Sequence, residues 1–294
     1  MDEADMRSLS MKKFKHFVWL KSQRMLHVFK PWMGLFHPPI VIYSMGKVGS
    51  TSIQATLEKL RLPNPIFHIH FLAWDYLEEV ETSYRRISIE PPGHVEAGNC
   101  LRAFADRTWG RVRWKIITLV REPVGREISD LFENIRTFPE LKKLSGEALV
   151  EGTILHMQEL MAAFDESKDY SCNWFDRELK NVFAFDIFSV PFTPEKGYAI
   201  YQAQNADILL IRLEDLSRVG SQALQEFFGV QNVELAQANQ GMEKLYRQAY
   251  KQTIGRIFFP TATLEKMYNT RFSRHFYSED ERGTFKERWS KPLL

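Results

Sequence analysis

The sequence predicts an α/β protein built on an open parallel sheet with helices on both faces. Short apolar runs alternate along the chain with longer amphipathic segments, which is the pattern of repeated strand–helix units. The strand candidates are almost continuous in Val, Ile and Leu, as expected for strands covered on both faces. A glycine-bearing turn directly after the first strand is typical of the strand-to-helix connections in such sheets.

The individual elements follow in order along the chain. Strands are predicted at residues 40–43, 65–72, 114–120 and 208–213. Helices are predicted at residues 50–60, 94–107, 124–135, 147–164 and 216–228. Pro191, Pro194 and Gly197 interrupt the pattern, so residues 186–198 are interpreted as a loop or irregular insert.

Three parts of the chain follow from this pattern. Residues 1–39 are predicted to be a basic N-terminal extension and residues 40–231 the α/β core. Residues 232–294 are aromatic-rich and are predicted to form a helical extension packed on that core.

Composition excludes several classes of function. A net charge of +2 is too balanced to predict nucleic-acid binding. The two cysteines, Cys100 and Cys172, form no metal-binding motif and no disulfide framework, so we expect neither a metal site nor an oxidising compartment. No apolar run is long enough to span a membrane, and no signal peptide is recognisable, so we expect a cytoplasmic protein.

The N-terminal extension concentrates positive charge. Residues 1–40 contain seven Lys and Arg but three Asp and Glu. Residues 11–33 combine these charges with aromatic and aliphatic side chains, which favours a helix packed on the domain. The alternative is an amphipathic helix in peripheral contact with the inner face of a membrane.

The stretch YSMGKVGSTS at residues 43–52 predicts an anion-binding turn. A buried strand leads into a turn with Gly46 and Gly49, and a helix follows, so backbone N–H groups and the positive end of the helix dipole converge. Lys47 precedes the second glycine, so the turn is not a Walker A loop, and an ordinary strand-to-helix turn is the alternative. The predicted anion-binding residues are Gly46, Lys47, Val48, Gly49, Ser50, Thr51 and Ser52.

A second anion site is predicted after the third strand. Arg121 follows that strand at the edge where ligands bind in open α/β sheets. Ser129 lies about two turns into the next helix, so a hydroxyl and a guanidinium would clamp a phosphate together. The alternative is that Arg121 pairs with Glu122 or Glu214.

These two sites resemble those of the sulfotransferases that use 3′-phosphoadenosine-5′-phosphosulfate (PAPS). The run KVGST at residues 47–51 resembles the family's Lys-x-Gly-Thr-Thr pattern for the 5′-phosphosulfate, with Ser in place of the first Thr. Arg121 and Ser129 have the family's eight-residue spacing for the 3′-phosphate. The resemblance implies a P-loop-like sulfotransferase fold, PAPS as donor, 3′,5′-adenosine bisphosphate (PAP) as product, and no metal.

A narrower resemblance is to bacterial proteins named for capsular polysaccharide synthesis. The phrases that resemble them are YSMGKVGSTS (43–52), FHIHFL (67–72), REPVGREIS (121–129), NWFDREL (173–179), LLIRLEDL (209–216) and RHFYSEDE (274–281). The resemblance implies a hydroxyl or amine acceptor, with a polysaccharide as one candidate. The late Arg-Lys-Gly segment of many cytosolic sulfotransferases has no equivalent, so the cover over the nucleotide is not predicted.

The resemblance also implies a general base near the end of the second strand. His68 and His70 lie on one face of that strand because side chains alternate. His70 is nearer the carboxyl end, so we predict it to be the base, with Glu78 and Glu79 as alternatives. Lys47 is predicted to stabilise the charge that develops on the leaving phosphate.

An acceptor site and two rival functions complete the prediction. Trp174, Asp176 and Arg177, together with His68, are candidates to line the acceptor site, whereas packing in the core is the alternative. The first rival function is a non-catalytic binding or scaffold protein on the same fold. The second is an ATP-dependent phosphotransferase.

Overall fold

The computed structural model describes residues 37–86, 90–236 and 246–292. Its centre is a sheet of strands β1 (Ile40–Tyr43), β2 (Ile66–Ile69), β3 (Trp114–Val120), β4 (Tyr198–Gln202) and β5 (Ala206–Arg212). The strand order is β2-β1-β3-β5-β4. All pairings are parallel except that of β4, which runs antiparallel to β5 at one edge.

Both faces of the sheet are covered at its centre. The consecutive residues Ile116 and Ile117 of β3 are fully buried, as are Leu209 and Leu210 of β5. Since successive side chains of a strand point to opposite faces, this burial requires packing on both sides. The predicted α/β architecture with a mostly parallel sheet is therefore confirmed.

Helices follow the strands and continue to the end of the described chain. They are α1 (Ser50–Lys59), α2 (Trp74–Arg86), α3 (Gly93–Thr108), α4 (Pro123–Glu133), α5 (Gly146–Ala162), α6 (Tyr170–Trp174), α7 (Asn181–Phe183), α8 (Leu216–Phe228), α9 (Arg247–Arg256), α10 (Thr261–Tyr268), α11 (Arg271–Phe276) and α12 (Glu279–Trp289). A π-helical turn, Phe175–Lys180, joins α6 to α7.

Local sequence signals explain where several helices begin. At α4, Pro123 occupies the first turn, and the Glu122 carboxylate accepts hydrogen bonds from the N–H groups of Val124 and Gly125. At α12, Ser278 and Glu281 form a reciprocal capping box.

The C-terminal helices pack on the helices that follow β3. Phe132 of α4 and Met157 of α5 share one buried cluster with Tyr268 of α10 and Trp289 of α12. A second cluster surrounds the sheet. Helices α9, α10 and α12 thus pack on α4 and α5, whereas residues 232–236 have no regular secondary structure.

The order of the strands creates a crevice at the carboxyl edge of the sheet. The chain moves from β1 to β2 in one direction and then to β3 on the opposite side of β1. The carboxyl ends of β1 and β3 therefore flank a topological switch point, where open α/β sheets bind ligands.

Several elements differ from the prediction, and strand β2 ends at Ile69 rather than at Leu72. Strand β4 begins at Tyr198, the last residue of the predicted loop, because this segment pairs with β5, and Gly197 O accepts a hydrogen bond from Arg212 N. Helix α2 was not predicted, and neither were the helical segments between Tyr170 and Phe183. Strand β4 pairs with the strand that directly follows it, and helix α2 contacts the later π-helical turn through the ion pair of Glu79 with Arg177.

The predicted N-terminal helix at residues 11–33 lies outside the described residues, as does most of the basic extension. Within the described ranges, no helix is long and apolar enough to cross a membrane.

Candidate functional site

A cavity of about 1020 Å³ lies at the crevice between β1 and β3. We divide its surface into two walls. The turn wall consists of Gly46, Lys47, Gly49, Ser50, Thr51, Arg121 and Ser129. The histidine wall consists of His68, His70, Phe71, Tyr76, His94 and Tyr170. The cavity thus contains both predicted anion sites and both predicted histidines.

The turn between β1 and α1 requires a glycine at position 49. Gly49 has a φ of 87°, and a Cβ there would lie 2.5 Å from Leu213 Cδ1. Left-handed Gly49 is followed by right-handed helical backbone from Ser50, an alternation in which successive N–H groups form an anion-binding concavity. No side chain of the described residues caps α1, so the start of this helix remains available to a ligand.

Gly46 differs from Gly49 because the fold leaves room beside it. A Cβ at Gly46 would meet nothing within 4 Å, and the residue does not have a positive φ. The glycine at this position therefore leaves free space where the backbone faces the cavity.

Two predicted turn residues do not reach the cavity. The side chain of Val48 is fully buried in the sheet cluster, so only its backbone remains available. Ser52 is buried, and its N–H group already donates to Gly49 O. The described contribution of α1 to the cavity therefore ends at Thr51.

The second anion site lies beside the turn. Arg121 Nη1 donates to Lys47 O at 3.1 Å, and Ser129 lines the same cavity. The Glu122 carboxylate caps α4, and the Glu214 carboxylate accepts from Glu122 N, so neither pairs with Arg121. The alternative of an Arg121 ion pair with these carboxylates is therefore wrong, and no other described carboxylate replaces them.

A buried arginine that was not predicted also holds the turn. Arg126 Nη1 donates to Gly46 O at 3.4 Å, and the guanidinium pairs with Glu127. Glu127 accepts in addition from Ser171 Oγ at 3.1 Å. Two guanidinium groups, those of Arg121 and Arg126, thus bind consecutive carbonyl groups of the turn.

The histidine wall contains three neighbouring imidazoles. The ring centroid of His70 lies 5.2 Å from that of His68 and 4.8 Å from that of His94. Burial lowers the pKa of His70, and it lowers the pKa of His68 to about 3 and that of His94 to about 4. All three rings are therefore neutral near pH 7.

The tautomer of His70 follows from its hydrogen bond. His70 Nδ1 lies 2.7 Å from the carbonyl oxygen of Ser44, which can only accept, so Nδ1 is the protonated nitrogen. Nε2 consequently has a free lone pair. A neutral imidazole with this lone pair at a cavity has the chemistry of a general base.

The end of β2 is held by Trp174 and Glu178. Trp174 Nε1 donates to His70 O at 2.9 Å, and Glu178 Oε2 accepts from the N–H groups of Leu72 and Ala73 at 2.8 Å each. Glu178 also accepts from the hydroxyl of Tyr43. Burial raises the pKa of Glu178 to about 7.

Of the four predicted acceptor residues, His68 lines the cavity, whereas Trp174, Asp176 and Arg177 do not. Trp174 is fully buried and packs on Tyr43, with ring centroids 5.0 Å apart. Asp176 pairs with Arg271, and Arg177 pairs with Glu79. Trp174 therefore holds the backbone at His70, and Asp176 and Arg177 form ion pairs at the surface, instead of contacting an acceptor.

Glu78 and Glu79, the alternatives to His70 as general base, also lie away from the cavity. Glu79 is exposed and engaged with Arg177, and Glu78 is exposed on α2. His68 and His70 do line the cavity.

Several cavity residues were missed because they come from segments that are separated in the sequence and meet only in the fold. The missed residues are Phe71, Tyr76, Tyr84, Pro92, His94, Asp130, Glu133, Asn134, Tyr170, Leu213, Arg247, Tyr250 and Lys251. The only local signal among them is the basic spacing of Arg247 and Lys251, which is ordinary for a surface helix. Among the described residues, no group of His, Cys, Asp or Glu is arranged to hold a metal ion.

Part of the chain matches the model of a known protein family. Residues 151–278 match the model of a family described as "Putative capsular polysaccharide synthesis protein". The matched range includes β4, β5 and helices α8 to α11, but it excludes the turn, Arg121 and Ser129. No curated protein and no solved structure matches the chain.

Proposed function

We propose that this protein is a sulfotransferase with a P-loop-like fold that moves a sulfuryl group from PAPS to a hydroxyl or amine acceptor. The observation that supports this best is the convergence of two anion sites on one cavity. Lys47 and the start of α1 form one site, and Arg121 with Ser129 forms the other. PAPS matches this arrangement because its 5′-phosphosulfate and 3′-phosphate are two separate anionic groups.

The environment of Arg121 supports an anionic ligand. Its guanidinium contacts a backbone carbonyl in a partly buried position and has no carboxylate partner among the described residues. The neighbouring Lys47 pairs with Glu133, with 2.9 Å between Nζ and Oε2, so Arg121 is the cation of this pair that lacks a counter-charge among the described residues. Binding a phosphate there would supply the missing counter-charge.

Lys47 and His70 have distinct roles in the proposed transfer. The acceptor oxygen attacks sulfur, the bond from sulfur to the bridging oxygen breaks, and the electron pair leaves with the 5′-phosphate of PAP. Lys47 and the N–H groups at the start of α1 stabilise that growing charge. The acceptor proton moves to His70 Nε2, because His70 Nδ1 already donates to Ser44 O.

A glycan is the acceptor class that the site favours. Tyr76, Phe71 and Tyr170 present aromatic surface on the histidine wall, and aromatic rings pack well against sugar rings. The family similarity of residues 151–278 points to the same class of substrate. Capsular polysaccharide fragments are therefore the first acceptors to test.

The donor proposal is tested by thermal unfolding with PAP and, separately, with Mg-ATP. A ligand that binds only the folded protein adds about 2.7 kcal/mol of stability at 100 times its dissociation constant. We expect PAP to stabilise the protein and Mg-ATP to have no effect. Arg121→Ala and Lys47→Ala should each weaken PAP binding roughly 10- to 100-fold, because each removes a charge-assisted contact.

Arg113→Ala is the matched control for Arg121→Ala. Arg113 precedes β3 at the opposite edge of the sheet, where it pairs with Asp207. This variant should bind PAP like the wild-type protein. Stabilisation by Mg-ATP alone would instead favour a phosphotransferase, and no response to either nucleotide would favour a scaffold.

A further inference from the structure

A directed chain of hydrogen bonds connects the surface of α1 with the hydroxyl of Ser50. Gln54 Nε2 donates to Glu58 Oε1 at 2.9 Å, which leaves Gln54 Oε1 as an acceptor. His68 Nδ1 lies 2.8 Å from that oxygen and is therefore the donating nitrogen. His68 Nε2 lies 2.9 Å from Ser50 Oγ, so this nitrogen accepts the hydroxyl proton of Ser50.

The direction of this chain conflicts with anion binding. Ser50 is the first residue of α1 and lines the cavity, where a ligand anion would need hydrogen-bond donors. However, the hydroxyl proton of Ser50 is donated to His68 Nε2, so Ser50 Oγ presents only lone pairs to the cavity. An oxygen lone pair facing an anion is repulsive.

Protonation of His68 removes the conflict. With both ring nitrogens protonated, Nδ1 still donates to Gln54 Oε1, while Nε2 now donates to Ser50 Oγ. The hydroxyl proton of Ser50 is then free to turn toward the anion. One added proton therefore changes Ser50 from an acceptor into a donor without moving any heavy atom.

We propose that anion binding in the turn is coupled to the uptake of one proton by His68, which acts as the positioning residue for the Ser50 hydroxyl. The inference rests on the proposed function for the identity of the ligand, the phosphosulfate end of the donor. The proposed function does not explain how the turn provides a hydroxyl hydrogen-bond donor to the bound anion, and the coupling to His68 supplies that explanation.

The surroundings of His68 keep the ring neutral before the ligand binds. His70, directly after β2, and His94 on α3 face it from the same cavity wall. Glu58 lies behind Gln54. Lys47, Arg121, Arg247 and Lys251 line the cavity with positive charge, whereas Asp130 and Glu133 line it with negative charge, and Glu133 pairs with Lys47. Burial and the two histidines lower the pKa of His68 to about 3, so the proton must come from solvent when the ligand binds.

The sign of the pH dependence follows from this coupling. The pKa of His68 is higher in the complex than in the free protein, so the complex holds the additional proton. The contribution of His68 to affinity is therefore largest at low pH and falls by up to tenfold per pH unit until the pKa of His68 in the complex is passed. Above that pKa, the contribution of His68 to the pH dependence is zero.

Isothermal titration calorimetry with PAP, in buffers of different ionisation enthalpy, measures the protons taken up per ligand bound. At about pH 6, the wild-type protein should take up close to one proton more than His68→Gln, since the amide donates to Ser50 without titrating. The difference between the two proteins removes the contribution of the ligand's own phosphates. His156→Gln, which changes a histidine paired with Glu140 outside the cavity, should behave like the wild-type protein.

Gln54→Leu distinguishes directed hydrogen bonding from simple charge attraction. Without the Gln54 acceptor, neutral His68 can place its proton on Nε2 and donate to Ser50, so PAP should still bind but without the additional proton. Equal proton uptake by Gln54→Leu and wild type, or by His68→Gln and wild type, would overturn the coupling while leaving the proposed function intact. Failure of PAP to bind the wild-type protein would overturn both.

Discussion

The two walls of the cavity are built in different ways. Most of the turn wall comes from one run of six residues, 46–51, and Arg121 and Ser129 join it from the strand end and helix next to it. The histidine wall combines side chains from β2, α2, α3 and α6, which are far apart in sequence. One wall depends on local backbone geometry, and the other depends on packing.

This difference determines what supports each wall. The turn is set by the backbone of Gly49 and by the bonds from Arg121 and Arg126 to its carbonyl groups. The end of β2 is instead held by buried side chains from a helical segment about 100 residues later, Trp174 and Glu178. Substitutions can therefore disturb one wall and leave the other intact.

The largest expected effect is a loss of stability when Trp174, which holds the end of β2 beneath the histidine wall, is replaced. Trp174→Ala should lower the free energy of unfolding by about 3–5 kcal/mol, because it leaves a large cavity in the core and removes the bond to His70 O. Urea unfolding measures this loss, and Trp74→Ala, at a Trp with 56% exposure, should cost far less. PAP affinity should not change. If the stability of Trp174→Ala were unchanged, Trp174 would again be a candidate for the acceptor site. If PAP affinity fell together with stability, the two walls would not be structurally independent.

The second-largest expected effect is a pH dependence of the free energy of unfolding that comes from Glu178, the other side chain that holds the end of β2. The pKa of Glu178 is raised from 4.5 to about 7 in the folded protein, so the folded state binds its proton more tightly than the unfolded state. Its contribution is fully present below pH 4.5 and is lost as the pH rises through about 7, a change on the order of 3 kcal/mol. Glu178→Gln should remove this slope from urea unfolding measured across that range. The exposed Glu287→Gln should retain the slope, and a wild-type slope in Glu178→Gln would contradict the assignment.

The smallest effect compares two glycines of the turn wall. Gly49→Ala should lower the free energy of unfolding by about 1–2 kcal/mol, because it places a side chain at positive φ and against Leu213. Gly46→Ala should leave stability unchanged but weaken PAP binding, since its methyl group would occupy open space at the cavity. Thermal unfolding with and without PAP separates the two effects. Equal destabilisation by both variants would contradict the distinction.

The sequence predicted the sheet better than the cavity. The strand at residues 114–120 and the helix at residues 216–228 were predicted with the bounds observed, because continuous apolar runs and helical periodicity are local patterns. Strand β4 was not predicted, since its stability comes from pairing with β5 rather than from its own pattern. Helix α2, Trp74–Arg86, was also missed.

The histidines show the limit of sequence reasoning within the site. Alternation along β2 correctly placed His68 and His70 on one face, as their contact at 5.2 Å between ring centroids shows. Neither the bond from His68 to Ser50 nor the neighbouring His94 was predictable, because both depend on the packing of α1 and α3 against β2. Trp174 was assigned to the acceptor site for the same reason, since a Trp on a helix gives no sign of which side it faces.

By itself, the sequence determined the α/β class, the turn after β1 and the position of Arg121 at a strand end. Each of these follows from hydrophobic periodicity, from the backbone freedom of glycine or from the rule that ligands bind at the carboxyl edge. Only the tertiary structure decided which side chains face the cavity, which nitrogen of each histidine bears the proton, and which buried groups support β2. Those properties depend on contacts between residues far apart in the chain, and a local sequence pattern contains no record of such contacts.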